Sequence, residues 1–402
     1  MSAEYRLRSV DAVREFQRRW LAQARRDAEA GEPFVICNSD EFEEVLNVMG
    51  IPVLVINYWN NVVVKDGKAP ALNESLRRRG YQPSFFSLGL ASALDPGNAP
   101  WGGLPRPALI LASARSETDL RVTELWARAA GCPCYPLDFG FTAPFRQLMP
   151  ADWRQQLRAN WVSLVDPDRL ELRLTQNLAL IGYLEQLTGR TFDPAALERA
   201  MIALNEQMDT WMRVTDLIAG ARPCPVSLRD QMAVYQVMWH RGTDRATAFL
   251  SDYEAEVRDR VSAGAGAYPS ERVRLLYWGD REPGYHRYLQ GMGAVFVGCL
   301  YSSTPQTYAR DFAPGEALRA LAARHLLLFE RSPDWPVAEA LRHQCDGVIG
   351  VEAPSTVPSA IAQACAAVGL PYLAVPRETD DAEVRELLAP FVASLGAETG
   401  TR

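Results

Sequence analysis

The sequence predicts an α/β protein: two Rossmann-like parallel-sheet lobes joined by a helical segment. Three observations carry this reading. Short apolar strands alternate with amphipathic helices in the first third and again in the last third of the chain. Strand signals vanish between Ala151 and about Val261. A small-residue stretch, "SAGAGAYPSER" (262–272), separates that middle from the second alternating region. Alternating strands and helices build parallel sheets through right-handed crossovers. The expected boundaries are an N-terminal helix at 1–30, a first α/β lobe at 31–150, a helical segment at 151–262 and a second α/β lobe at 263–402; 402 residues suffice for two to four domains.

The elements follow in order. Val10, Val13, Phe16, Trp20 and Ala24 recur at helical spacing in the N-terminal segment. "EPFVICNS", "IPVLVIN", "PALILAS" and the short "PCYPLDF" read as strands. "DEFEEVLNVMG" reads as a helix closed by Gly50, and "TDLRVTELWARAAG" as another. In the middle, "RLELRLTQNLALIGYLEQLTG" and "DPAALERAMIALNEQMDTWMRVTDLIAG" carry apolar residues at i, i+3, i+4 and i+7, with Asp193-Pro194 as a helix start. After the linker, "VRLLYWG", "AVFVGC", "HLLLFE", "GVIGV" and "YLAV" read as strands, and "DDAEVRELLAPFVASLG" as a closing helix. The chain shows no solenoid repeat and no low-complexity tract.

Bulk composition narrows the function. The chain is 48% hydrophobic and 23% charged with net charge −7, which disfavours a general role on nucleic acid or at a membrane surface. The first twenty residues lack the apolar core of a signal peptide, and no apolar run approaches the ~18 residues of a spanning helix. A cytoplasmic protein with reduced thiols is expected. Seven cysteines are scattered. Only Cys132 and Cys134 lie close, as C-P-C rather than C-x-x-C, and the four histidines form no zinc pattern with them. No metal is expected on this chain. Cys37 and Cys299, each ending a strand, are the outside candidates for one.

Phosphate-loop, dinucleotide, nucleophile-elbow and zinc-protease signatures are all absent. What remains is a set of polar strand ends. "LILASARSETD" presents Ser113, Arg115 and Ser116. "LLYWGDREPGYH" presents Asp280, "VFVGCLYSST" presents Cys299 and Tyr301, and "GVIGVEAPSTV" presents Glu352 and Ser355. Open parallel sheets place ligands beyond their strand C-termini, so these residues, with Ser84 of "QPSFFS", are the candidates for a cleft between the lobes. Arg115 is expected to enter it as a fixed cation, paired with Glu352 or Asp280 or with an anionic ligand. Tyr58 and Trp59 either line a pocket or pack in the core. Arg77, Arg78 and Arg79 either meet a phosphate or sit at a solvated helix end before Gly80.

The order of segments resembles the 2-hydroxyacyl-CoA dehydratase and benzoyl-CoA reductase family. "GEPFVICNSDEFEEVLNVMGIPVLVIN" is similar to its entry segment through Cys37, Glu44, Val45, Gly50 and Pro52. The segments around "RRRGYQPSFFSLGL", "PALILASARSETDLRVTELW", "YLEQLTGRTFDPAALERAMIALNEQMDTWMRVTDLIAGARPCPVS" and "CDGVIGVEAPSTVPSAIAQACAAVGLPYLAV" follow in the family's order. In this family three strand-end cysteines usually hold a [4Fe-4S] cluster. The matching places here are Ser84, Ser116 and the Ala353–Ser355 stretch, and hydroxyls hold such clusters poorly. The resemblance therefore implies a subunit of a heteromeric enzyme acting on a CoA thioester. It would carry no cofactor itself and support a homologous subunit that bears the [4Fe-4S] cluster, with an ATP-dependent iron–sulfur activator supplying the electron. The alternative is a binding or scaffold protein for an acyl-CoA or another small ligand that kept the fold without redox work. An obligate partner interface was sought in the apolar residues Trp211, Met212, Met232 and Trp239 of the helical middle.

Overall fold

The computed structural model describes residues 5–37, 42–113, 117–137, 153–279, 282–327, 333–352, 355, 357–376 and 381–399. It is a mixed α/β structure with two four-stranded parallel sheets. The first consists of β1 (Val35–Cys37), β2 (Val53–Val55), β3 (Leu109–Ser113) and β4 (Cys134–Leu137) in the order β2-β1-β3-β4. The second consists of β5 (Val273–Trp278), β6 (Ala294–Cys299), β7 (Gly347–Glu352) and β8 (Tyr372–Pro376) in the order β6-β5-β7-β8. Chain order within the two sheets is the same: each begins at an inner strand, steps to one edge, and returns past its start. Cys37 pairs with Val55 and Leu111; the corresponding inner strand aligns Tyr277 with Cys299 and Ile349. The two Rossmann-like parallel-sheet lobes expected from the sequence are thus present.

Local chemistry explains the helices between and around the sheets. The N-terminal helix Arg8–Glu29 buries Val10, Val13, Leu21 and Ala24 along one stripe and leaves Arg8, Arg18, Arg19 and Arg26 exposed. The long helix Pro167–Thr188 starts on Asp166, whose carboxylate accepts from the Arg169 N–H at 3.0 Å, and stops on Gly189 in the left-handed region (φ 69°). Pro194–Gly220 starts in the same way on Asp193, and Asp244–Ser262 on Thr243. The helix Ala69–Arg78 ends before Gly80 (φ 80°), and Arg77 and Arg78 both reach Glu74, so this arginine run is a solvated helix end.

One hydrophobic core runs from the N-terminal helix through the first sheet and the helical segment to the edge strand β6, through Val295 and Val297. The rest of the second sheet is covered by two separate cores, one around Tyr277 and Phe296, the other around Leu276 and Val348.

Three sequence expectations are corrected. "HLLLFE" is not a strand: His325, Leu326 and Leu327 continue the helix Ala317–Leu327, and the remainder lies outside the described residues. A short apolar run carries no period of its own, and the preceding "ALRALAAR" propagates as helix. The strand read in "IPVLVIN" stops at Val55, because Ile56–Lys65 is a helix that starts directly at the strand end. Finally, Trp211, Met232 and Trp239 are buried in this chain, with Met212 half-buried, so they are core rather than partner surface.

Candidate functional site

The strand ends are where the sequence placed its candidates, and the structure separates them. Ser84 stands before the short turn of helix Phe85–Ser87. Its hydroxyl accepts from the Ser87 N–H at 3.3 Å, while the Ser87 hydroxyl accepts from the Ser84 N–H at 2.8 Å. This reciprocal cap occupies Ser84 with the backbone. Ser113 closes β3 by pairing with Leu137, but its side chain lies outside the described residues, as do Arg115, Ser116, Asp280, Ala353 and Pro354. The expected entry of Arg115 into the cleft therefore falls outside them as well.

In the second lobe Cys299 repeats the arrangement at Ser84. Its N–H donates to the Ser302 hydroxyl at 3.0 Å, and its thiol lies 3.7 Å from the same oxygen. Cys299 is fully buried, and burial pushes its thiol up to about 11, so it is a protonated core thiol rather than a thiolate. Cys37 is buried in the first core and Cys299 in the second, so the two are not brought together. Glu352 accepts from the Ser359 hydroxyl at 2.6 Å and from the Tyr372 hydroxyl, which ties it to the cap of the next helix. Ser355 is exposed and caps its own turn, accepting from the Val357 N–H at 3.1 Å. Among the described residues no three His, Cys, Asp or Glu side chains are gathered as a metal would require. The serine at position 84 and the buried thiols do not fit an iron–sulfur cluster, whose ligands must be thiolates.

A pocket does lie between the lobes. It encloses about 410 Å3, its open mouth included, and is lined by Tyr58, Asn61, Lys65, Met232, Tyr235, Gln236, Glu282 and Tyr301. Tyr58 stands just past the end of β2, Tyr301 just past β6, and Glu282 a few residues past β5. The C-terminal ends of both sheets thus open toward one space, with the helical segment supplying its third wall. Tyr235 packs on Tyr301 (centroids 4.7 Å apart) and on Tyr58 (5.6 Å). Lys65 ends the helix Ile56–Lys65 at the pocket mouth, reachable by water yet crowded by protein on its other sides. Loss of hydration lowers its pKa below the ordinary lysine value; Glu282 opposes the shift, and Arg14 and Arg229 add to it. The lining combines three tyrosine rings, two amides, a thioether, one ammonium and one carboxylate. It is suited to holding a polar organic ligand rather than to nucleophilic attack.

Behind the pocket lies a buried ionic cluster. The Tyr235 hydroxyl meets the Tyr308 hydroxyl at 2.5 Å, and the Tyr308 ring is flanked by the guanidinium groups of Arg241 (4.9 Å) and Arg324 (5.4 Å). Arg241 donates to both oxygens of Glu43 at 2.8 Å and from Nε to Glu44 at 2.5 Å. Arg324 donates to both oxygens of Glu44, at 2.6 and 2.8 Å. All four side chains are fully buried. Burial alone would raise the Glu44 carboxyl; Arg241 and Arg324 more than reverse this and hold it at about 2.

Sequence reasoning named Tyr301 and offered Tyr58 as one of two alternatives. It missed Lys65, Tyr235 and Glu282. Lys65 closes "NNVVVK", a valine run in which a single terminal cation forms no functional pattern. Tyr235 sits in "MAVYQVMW", which looks like a buried helix and largely is one.

A family model described as 2-hydroxyglutaryl-CoA dehydratase, D-component, matches residues 42–389. No curated protein matches the chain. The matched span runs from the helix that bears Glu43 and Glu44, through β2, β3 and β4 of the first sheet, the whole second sheet and the pocket walls, into the last helix. By that match over most of its length, the chain belongs to the 2-hydroxyglutaryl-CoA dehydratase D-component family.

Proposed function

We propose that this chain is a subunit of a heteromeric, cytoplasmic enzyme acting on a CoA thioester. In this reading it binds or positions the thioester, and a homologous subunit bearing a [4Fe-4S] cluster carries out the electron chemistry. An ATP-dependent iron–sulfur activator would serve that partner. The observation that carries the reading is the pairing of family membership with the chemistry at Ser84. The position that the resemblance matches to a cluster thiolate is a hydroxyl engaged in capping, and the described thiols at the strand ends are buried. Among the described residues no helix is long and apolar enough to cross a membrane, in keeping with the proposed compartment.

The pocket supports the ligand half of the proposal. Tyr58, Tyr235 and Tyr301 offer aromatic faces to an acyl chain, and Asn61 and Gln236 offer amides to its oxygens. Lys65 at the mouth, with Arg14 and Arg229 in its electrostatic surroundings, favours an anionic tail. Leu172, Leu178 and Ile202 of the helical segment are exposed and offer apolar area for a partner.

The test is anaerobic co-expression with a cluster-bearing homologue, followed by iron analysis and titration with CoA, acetyl-CoA and a 2-hydroxyacyl-CoA. A heteromer whose iron stays with the partner, and whose thioester affinity falls on Lys65→Met, is expected. About four irons on this chain alone, as a resident cluster would give, contradicts the proposal. A stable monomer that binds the thioester unaided supports the non-redox binding protein instead.

A further inference from the structure

Among the described residues, Arg310 is a buried cation without a counterion. Arg310 follows the buried run Leu300–Ala309 and is itself fully buried. Its backbone is clamped to the long helix Pro194–Gly220: the Arg310 N–H donates to Asn205 Oδ1 at 3.0 Å, and Asn205 Nδ2 donates to the Arg310 carbonyl at 2.7 Å. The following residue is fixed too, since Trp161 Nε1 donates to the Asp311 carbonyl at 2.7 Å. The side chain therefore enters the interior from a fixed base.

Only one corner of its guanidinium is satisfied. Nη1 donates to the carbonyls of Thr307 and Ala309, both at 2.7 Å. Nε and Nη2 are buried and meet no acceptor among the described residues. The charged group that acts on Arg310 is another cation, Arg324, whose own hydrogen bonds go to Glu44. Burial, with Arg324 adding, lowers Arg310 to about 9, and a group at that level is still charged at neutral pH. An unpaired buried guanidinium costs several kcal/mol in general. The unsatisfied pair is not arbitrary: Nε–H and Nη2–H form the edge of the guanidinium that presents two parallel donors, spaced to meet two oxygens of one carboxylate or phosphate. Gln306, in the same buried run, also has both amide atoms unpartnered, so this segment holds hydrogen-bonding capacity that the protein does not use.

We propose that Arg310 is the anchor of a buried oxyanion site, in which a small anion of carboxylate or phosphate type sits on the Nε/Nη2 edge and neutralises the guanidinium. The site is separate from the pocket, whose lining does not include Arg310, and does not depend on the function proposed for it. An anion that binds the folded chain alone stabilises it in proportion to the logarithm of its concentration. The ligand here would be a structural one, holding the second lobe's Leu300–Arg310 run against the helical segment.

The test is thermal melting of the full chain in chloride, with formate or phosphate replacing chloride at constant ionic strength. In the wild type the midpoint should rise by about 2 °C or more as either oxyanion passes well beyond its dissociation constant. Arg310→Met should flatten that response. Arg310→Lys, which keeps the charge and loses the two-donor edge, should reduce it and provides the comparison if the methionine variant fails to fold. Ion chromatography of wild-type protein denatured after exchange into one of these oxyanions should release about one anion per chain beyond the Arg310→Lys control, for the single edge proposed. A wild-type midpoint indifferent to both anions overturns the proposal. So does a rise of equal size in the variants, which would report general salt effects on the surface. A response to phosphate alone or formate alone identifies which oxyanion the edge takes.

Discussion

Two sheets with one strand order are packed in different ways. The first fills its strands with side chains: Val35, Ile36, Val53, Leu54, Ile110 and Leu111 are all buried, and no glycine interrupts β1 to β4. The second is notched. Gly298, Gly347 and Gly350 stand in β6 and β7, and side chains from outside the sheet (His343 and Phe391) and from the neighbouring strand β8 (Tyr372) rest on them. A methyl group at Gly298 would come within 3.0 Å of the His343 ring, one at Gly347 within 3.0 Å of Phe391, and one at Gly350 would collide with the Tyr372 hydroxyl. That hydroxyl is the one that holds Glu352. The first lobe instead contributes Glu43 and Glu44, which are buried against two arginines from later in the chain. Strand order therefore says where a loop will emerge, but not what its residues are already bound to.

The largest expected effect lies in the first lobe. Arg241→Met leaves Glu43 without its bidentate partner and Glu44 with one guanidinium, and should cost about 3–5 kcal/mol in denaturant unfolding. The same cluster sets an acid limit. Glu44 is depressed when folded, so its contribution is fully present above its unfolded value of 4.5 and is lost as pH falls toward about 2. Wild type should lose stability across that window, and Glu44→Gln should flatten that part of the curve. A variant as acid-sensitive as wild type there would remove Glu44 from the account.

Next comes the notch. Gly350→Ala must displace Tyr372 and should cost about 1–3 kcal/mol by overpacking. The reverse exchange in the first sheet, Ala112→Gly, removes a methyl group instead of adding one and should cost about 0.5–1 kcal/mol through backbone entropy. Equal costs would erase the distinction between the sheets. The smallest contrast compares the two caps. Ser302 accepts from the Cys299 N–H and donates to Gln231 Oε1 at 2.9 Å in a fully enclosed site, so Ser302→Ala should cost about 1–3 kcal/mol by stranding buried partners. Ser84→Ala, half exposed, should cost about 1 kcal/mol or less, the ordinary value of a cap. Chemical denaturation of the pair measures the difference, and a reversed order would mean that the Ser84 turn is held more tightly than its bonds indicate.

Six strands, β1 to β3 and β5 to β7, arise in segments that the sequence marks by apolar, β-branched runs, because a strand buried on both faces needs little else, while the edge strands β4 and β8 are partly exposed. Their lateral order was not legible, since nothing local encodes which inner strand comes first. "HLLLFE" misled because six apolar-rich residues fit either period, and the alanines before them decided for helix. The site was partly legible. Tyr301 follows a strand end and could be named, while Lys65 and Tyr235 sit in apolar helices where a polar group reads as incidental. The charge cluster was hidden for another reason. "DEFEEVL" looks like a solvated helix start, and its arginines lie in segments that show no sign of pairing with it.

That cluster also sets a clock for synthesis. Arg241 lies 197 residues after Glu44, and Arg324 lies 280 residues after it. At roughly 5–20 residues per second, about 15–55 s pass between the emergence of Glu44 and that of Arg324. Through that interval the nascent first lobe holds two carboxylates that cannot be buried without their cations. It must keep the helix bearing Glu43 and Glu44 open to water, and its final closure waits on the arrival of residues from the opposite end of the protein.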